Sequence, residues 1–336
     1  MEFGEGNLAK NQMNHIDRVQ ALIEGNSVDR PGVALWRHFP VDDQTPDGLA
    51  ASVLAFQRLY DFDIVKVTPA SSYSLKDWGV QDEWRGDPEG TRNYIQNVIN
   101  FPDDWERLTV LDPEKEHLAA QLACLRLLTK ELGHDTPAIQ TVFSPLAQAK
   151  NLAGRNRLLV HLRRYPDAVH AGLRTIAEST RLFIEATQKT GIAGIFYAVQ
   201  HAQYGLLSVD EYNEFGRKYD LQVLERAQEM WLNMLHIHGE ELKFDQLADY
   251  PVTVINWHDR DTPPSLGEAM GRFKGALCGG LQRMQTMVLG DPEMVRMEAR
   301  QAIEATGGQR LILGTGCVLP VTAPHGNILA ARLSVE

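Results

Sequence analysis

His236 and His238 stand two residues apart in the run Leu235-His236-Ile237-His238-Gly239. In an extended strand that spacing sends both imidazoles to one side, with Cα atoms about 6.6 Å apart. Two imidazoles so placed can grip one ion. Cys317 lies far along the chain, in the stretch Leu311 to Asn327, just past the apolar run Leu311–Leu313 and a bend containing Gly314 and Gly316. If the two strand ends meet, two nitrogens and one thiolate form a set suited to Zn²⁺, with a fourth position left for substrate or water. The plainer alternative is that one histidine bonds a backbone carbonyl and Cys317 is small packing.

Other chemistry-bearing residues also follow apolar runs. Arg37 and His38 come after Val33–Trp36, and a guanidinium there suits a carboxylate or phosphate, or else an ion pair with Asp42 or Asp43. Tyr197, Gln200 and His201 follow Ile192–Phe196, where His201 could donate a proton or orient an acidic group. Trp257, His258 and Asp259 follow Val252–Asn256. His258 with Asp259 reads as a base and its orienter, as a fourth metal ligand, or as an ordinary loop pair. Cys278 reads as core, Tyr204 as a rim aromatic, and His325 as a helix cap or a pocket residue.

The elements that must position these residues are short and regularly spaced. Eight buried-type strands are expected near 33–36, 63–67, 138–142, 192–196, 234–238, 252–256, 276–279 and 311–313, separated by helical periodicity. Runs without polar alternation are covered on both faces, as in a parallel sheet. Eight of them predict an α/β fold with a single (βα)8 TIM barrel, whose chemistry gathers past the strand ends. No Gly-x-Gly-x-x-Gly follows the first strand to favour a doubly wound dinucleotide fold. The polar excursion from Ala70 to about Asn100 predicts a lid or pocket wall.

The 336 residues carry a net charge of −11, which disfavours binding to a nucleic-acid backbone. Hydrophobic content of 43% and charged content of 23% are those of a globular protein. No apolar run reaches the length of a membrane span, and Met1 to Gly6 lacks the features of a secretory signal. Three dispersed cysteines fit reduced thiols. A cytoplasmic protein is expected, with residues 1–12 a disordered tail, residues 13–336 one domain, and a homodimer the default assembly.

Several stretches resemble the uroporphyrinogen decarboxylase superfamily across roughly Asp17 to Arg332. They are Arg18 to Gly25 ahead of Asp29-Arg30-Pro31, Leu206 to Phe215, Leu235 to Gly239, and Ile312 to Asn327. The resemblance implies a TIM barrel. The true decarboxylases of this superfamily use an Arg-Gln-Ala-Gly-Arg loop, a buried aspartate and a Gly-His-Gly turn. This chain has Trp36-Arg37-His38-Phe39-Pro40, Lys66-Val67-Thr68-Pro69 and Gly314-Thr315-Gly316 at those places.

The zinc methyltransferase branch, which exchanges methyl groups with corrinoid proteins, carries His-x-Cys on one strand and a distant cysteine. His236 and Cys317 match, and His238 replaces the first cysteine with another zinc-competent ligand. The resemblance therefore implies a zinc-dependent methyltransferase or demethylase. Its metal would be held by His236, His238 and Cys317, with a small-molecule methyl donor or acceptor and a corrinoid protein as partner. Arg37, His38, Tyr197, Gln200 and Trp257 would contact substrate, and His201, His258 and Asp259 would move protons. The alternative is metal-free decarboxylation of a porphyrinogen or related acid.

Overall fold

Aliphatic and β-branched runs flanked by turn residues form the strands of this protein, for which a computed structural model describes residues 12–336. The expected disordered tail falls, apart from Gln12, outside the described residues. The strands are β1 (Gly32–Val33), β2 (Val65–Val67), β3 (Gln81–Glu83), β4 (Asn93–Gln96), β5 (Ala138–Phe143), β6 (Gly194–Val199), β7 (Met234–Ile237), β8 (Val254–Trp257), β9 (Ala276–Leu281) and β10 (Leu311–Thr315). Eight of them build one sheet in the order β1-β10-β9-β8-β7-β6-β5-β2. Every neighbouring pair in that sheet is parallel. The sheet curls, so that its end strands approach one another: the Asp63 N–H, just ahead of β2, donates to the carbonyl of Val33 in β1 at 2.9 Å.

Helices cover the outer face, each begun and ended by local chemistry. Thr45 caps Pro46–Tyr60 by accepting from the Gly48 N–H, and Asp291 caps Pro292–Thr306 by accepting from the N–H groups of Glu293 and Met294. Because strand side chains alternate, the hydrophobic residues separate into two layers. Tyr197, Leu235, Ile255 and Leu313 pack outward against the helices. Ala34, Ile64, Ile139, Phe196, Met234, Val254, Cys278 and Ile312 fill the interior. Val19 and Leu22 of the helix His15–Glu24 join this inner layer. Arg18 of that helix is fixed by Asp29 and by Asp63, which also pairs with Arg30 and accepts from the Val33 N–H.

All eight expected sheet strands form. The polar excursion after β2 is more ordered than a loop, because it contains the antiparallel hairpin β3–β4. The turn joining these two strands is tied to the segment after β10, where the Val321 N–H donates to the Pro88 carbonyl. Among the described residues, no helix is long and apolar enough to cross a membrane.

Candidate metal centre

The register of the sheet brings the candidate ligands together. β7 and β8 pair with Ile237 opposite Trp257, so the next residues, His238 and His258, leave the sheet side by side. His236 lies one pleat earlier on the inner side, and Cys317 follows β10 by two residues. Donor atoms of His236, His238, His258 and Cys317 all lie within 4.8 Å of one another. The Nε2 of His258 is 3.4 Å from the Nδ1 of His238. Tetrahedral zinc, with bonds of about 2.0–2.3 Å, places its ligand atoms roughly 3.3–3.7 Å apart. The His258–His238 pair has that spacing, and three imidazole nitrogens with one sulfur are donors that suit the ion.

The next layer of residues supports the same assignment. Asn256 is fully buried and donates from Nδ2 to the carbonyls of Cys278 (2.9 Å) and Thr315 (3.0 Å). Its Oδ1 must therefore accept, and it lies 2.7 Å from the Nδ1 of His236. That bond puts the His236 proton on Nδ1 and leaves Nε2 free as a ligand atom. Thr315 donates to the Cys317 carbonyl at 2.6 Å and fixes the bend. Glycine is required in that bend by close approach. A Cβ on Gly316 would stand 2.5 Å from the Cα of His258 and 2.7 Å from the carbonyl oxygen of Trp257. Burial opposes ionisation of the Cys317 thiol, but the three surrounding imidazoles hold it well below the ordinary thiol value. Burial also lowers His236, opposed by the Cys317 charge.

His236, His238 and Cys317 form part of the lining of a cavity of about 210 Å³, whose wall includes Trp36, His38, Lys66, Phe196 and Gln200. Lys66 is the inward residue of β2. Its ammonium donates to Thr68 Oγ1 at 3.3 Å and stands 4.5 Å from the Phe196 ring centre. Burial pushes it down to about 7, opposed by the Cys317 charge. His38 is lowered to about 4 by burial and by Lys66.

The residues expected from sequence divide sharply. His236, His238 and Cys317 meet, and His258 joins them as a fourth donor rather than pairing with Asp259. Asp259 instead accepts the Gly280 N–H at 3.1 Å, and burial raises it to about 7. The carboxylate nearest the Nδ1 of His258 is that of Asp261, at 3.8 Å. His38 and Gln200 line the cavity. His201 is buried nearby with its Nδ1 unpartnered, and burial with the charges of Lys150 and Arg155 lowers it to about 3.

Three of the expected substrate contacts lie elsewhere. Tyr197 and Trp257 have the outward parity of their strands. Tyr197 donates to Asp220 and Trp257 to the Pro264 carbonyl, both at 2.8 Å. Arg37 stacks on Phe39 and Phe56 away from the cavity. Cys278 is core, Tyr204 is exposed at the rim, and His325 bonds Tyr60. Lys66, Trp36 and Asn256 were not singled out by sequence reasoning. For Lys66 and Asn256 the available signal was a charged or amide residue inside an otherwise apolar strand; Trp36 carried none.

The uroporphyrinogen decarboxylase (URO-D) family model matches residues 15–335. The chain belongs to the uroporphyrinogen decarboxylase family. A uroporphyrinogen decarboxylase from Rhodococcus opacus (strain B4) is 29% identical over 179 residues, which is 50% of this chain and 48% of that protein. The match thus spans about half the length of that relative. Among solved structures, a methyltransferase from Methanosarcina mazei superposes with a TM-score of 0.84 at 17% identity, covering 96% of this chain and 98% of the other. A B12-independent methionine synthase from Shewanella sp. W3-18-1, in complex with selenomethionine, gives 0.58 at 15% identity, covering 86% and 85%. At these identities the likeness to both structures is one of fold.

Proposed function

We propose that this member of the family is a zinc-dependent methyltransferase or demethylase acting on a small molecule, with its sheet closed as a (βα)8 barrel. The observation that carries the reading is the convergence of His236, His238, His258 and Cys317 at the C-terminal ends of β7, β8 and β10, with His236 oriented by Asn256. The two structural relatives, a methyltransferase and a methionine synthase, support it. Zinc, when bound, supplies a Lewis acid that lowers the pKa of a thiol or hydroxyl acceptor.

The chain's own residues do the rest. His236 presents Nε2 because Asn256 holds its other nitrogen. Cys317 offers a thiolate because three imidazoles surround it. His258 would complete the donor set that holds the ion. Gln200, at the cavity wall, orients polar groups of the substrate. The methyl donor is a corrinoid carried by a partner protein.

Metal analysis of the purified protein tests the reading. One zinc per chain, lost in a His236→Ala/Cys317→Ala double variant, is the expected result. Protein prepared in zinc-replete medium that holds no metal sinks it. That outcome favours metal-free decarboxylation, the second reading, which rests on the Rhodococcus relative.

A further inference from the structure

One wall of the cavity carries two polar side chains without a hydrogen-bond partner and an ammonium with a single one. Trp36, His38 and Lys66 are each more than nine-tenths buried and line the cavity together. The indole Nε1 of Trp36 and the Nδ1 of His38 have no hydrogen-bond partner. Among the described residues, Lys66 forms no ion pair. Its ammonium meets only the Thr68 hydroxyl and the faces of Phe196 and Trp36. Glu89, a carboxylate at the cavity edge, is engaged by Arg283 at 2.8 Å. Buried donors and charges of this kind are retained against a desolvation cost, which an acceptor in the cavity would offset.

We propose that Trp36, His38 and Lys66 form a recognition site for a carboxylate on the small molecule that occupies the cavity. This deepens the methyltransferase reading and rests on it: the substrate is a small acid whose far end reaches the histidine–cysteine cluster. A single ammonium matches a monoanion, whereas a doubly charged phosphate would leave one charge uncompensated in a buried site. Trp36 and His38 supply the neutral hydrogen bonds that the carboxylate oxygens need. The basic residue that sequence pointed to for this task, Arg37, faces away.

Binding to the full chain, with and without zinc, is measured by calorimetry. The probes are thiol carboxylates from mercaptoacetate to 5-mercaptopentanoate, their amides, and the phosphonate of matching length. In zinc-free protein the best acid is expected to bind at least about tenfold tighter than its amide. Lys66→Met keeps the side chain's length, removes its charge, and should erase that difference while zinc content stays the same. Trp36→Phe keeps a ring, removes one donor, and should weaken the acid by up to about tenfold. Equal binding of acid and amide, a difference that survives Lys66→Met, tighter binding of the phosphonate, or failure of every acid to bind at millimolar concentration would each overturn the proposal. Zinc content is read separately, so loss of the metal reading and loss of the carboxylate site are distinct results.

Discussion

Replacing Asn256 with alanine tests whether the sheet interior orients the proposed metal ligands. The amide makes three buried hydrogen bonds, two as donor to the Cys278 and Thr315 carbonyls and one as acceptor from His236. At about 1 kcal/mol for each bond, the metal-free variant should lose about 3 kcal/mol of stability, read from the urea midpoint. Freed from Asn256, His236 can hold its proton on either nitrogen and rotate. Loss of such an outer partner typically lowers metal affinity by about 10- to 100-fold, equivalent to about 1.4–2.7 kcal/mol. Competition with a chromogenic chelator measures that term separately. A variant destabilised as expected yet holding zinc as tightly as wild type would refute the orienting role and leave Asn256 a packing residue. Unchanged stability would refute the hydrogen-bond account itself.

Gly316→Ala drives a methyl group into the backbone of His258 and Trp257. It should cost about 1–3 kcal/mol by overpacking, and the zinc-to-protein ratio should fall because Cys317 is pushed out of place. At the opposite end of the sheet, burial works against the Asp63 carboxylate. Hydrogen bonds from His15 and Arg30 and the charges of Arg30 and Arg18 nevertheless hold it well below the usual range. Arg18 likewise holds Asp29 at about 2. Both folded values are depressed, so this stabilisation is present above the unfolded aspartate value near 4 and is lost as pH falls toward 2. Asp63→Asn should cost about 3–5 kcal/mol at neutral pH, because Arg18 and Arg30 lose a buried partner. Its stability should also fall less steeply than wild type between pH 4 and 2 in urea titrations.

Local pattern determined much of this protein. Apolar runs of three to five residues, broken by turn residues and separated by helical periodicity, are too short for buried helices and fit covered parallel strands. The eight sheet strands were therefore legible, as was the placement of His236, His238 and Cys317 at or just past strand ends. The hairpin β3–β4 was not, because its residues are largely polar and exposed and its pairing is decided by contacts with the rest of the fold.

Only the tertiary structure decided which neighbours in sequence face the same space. Strand side chains alternate, so Tyr197 and Trp257 point to the helices while Phe196 and Asn256, one residue earlier, point inward. His258 becomes a fourth donor because parallel register sets it beside His238, whereas its sequence neighbour Asp259 turns to the Gly280 amide. The cation in the cavity is Lys66, from the middle of an apolar strand, and not Arg37. A strand one residue out of phase would have buried that charge among helices. Residue type fixes what a side chain can do, but sheet parity and register fix whom it meets.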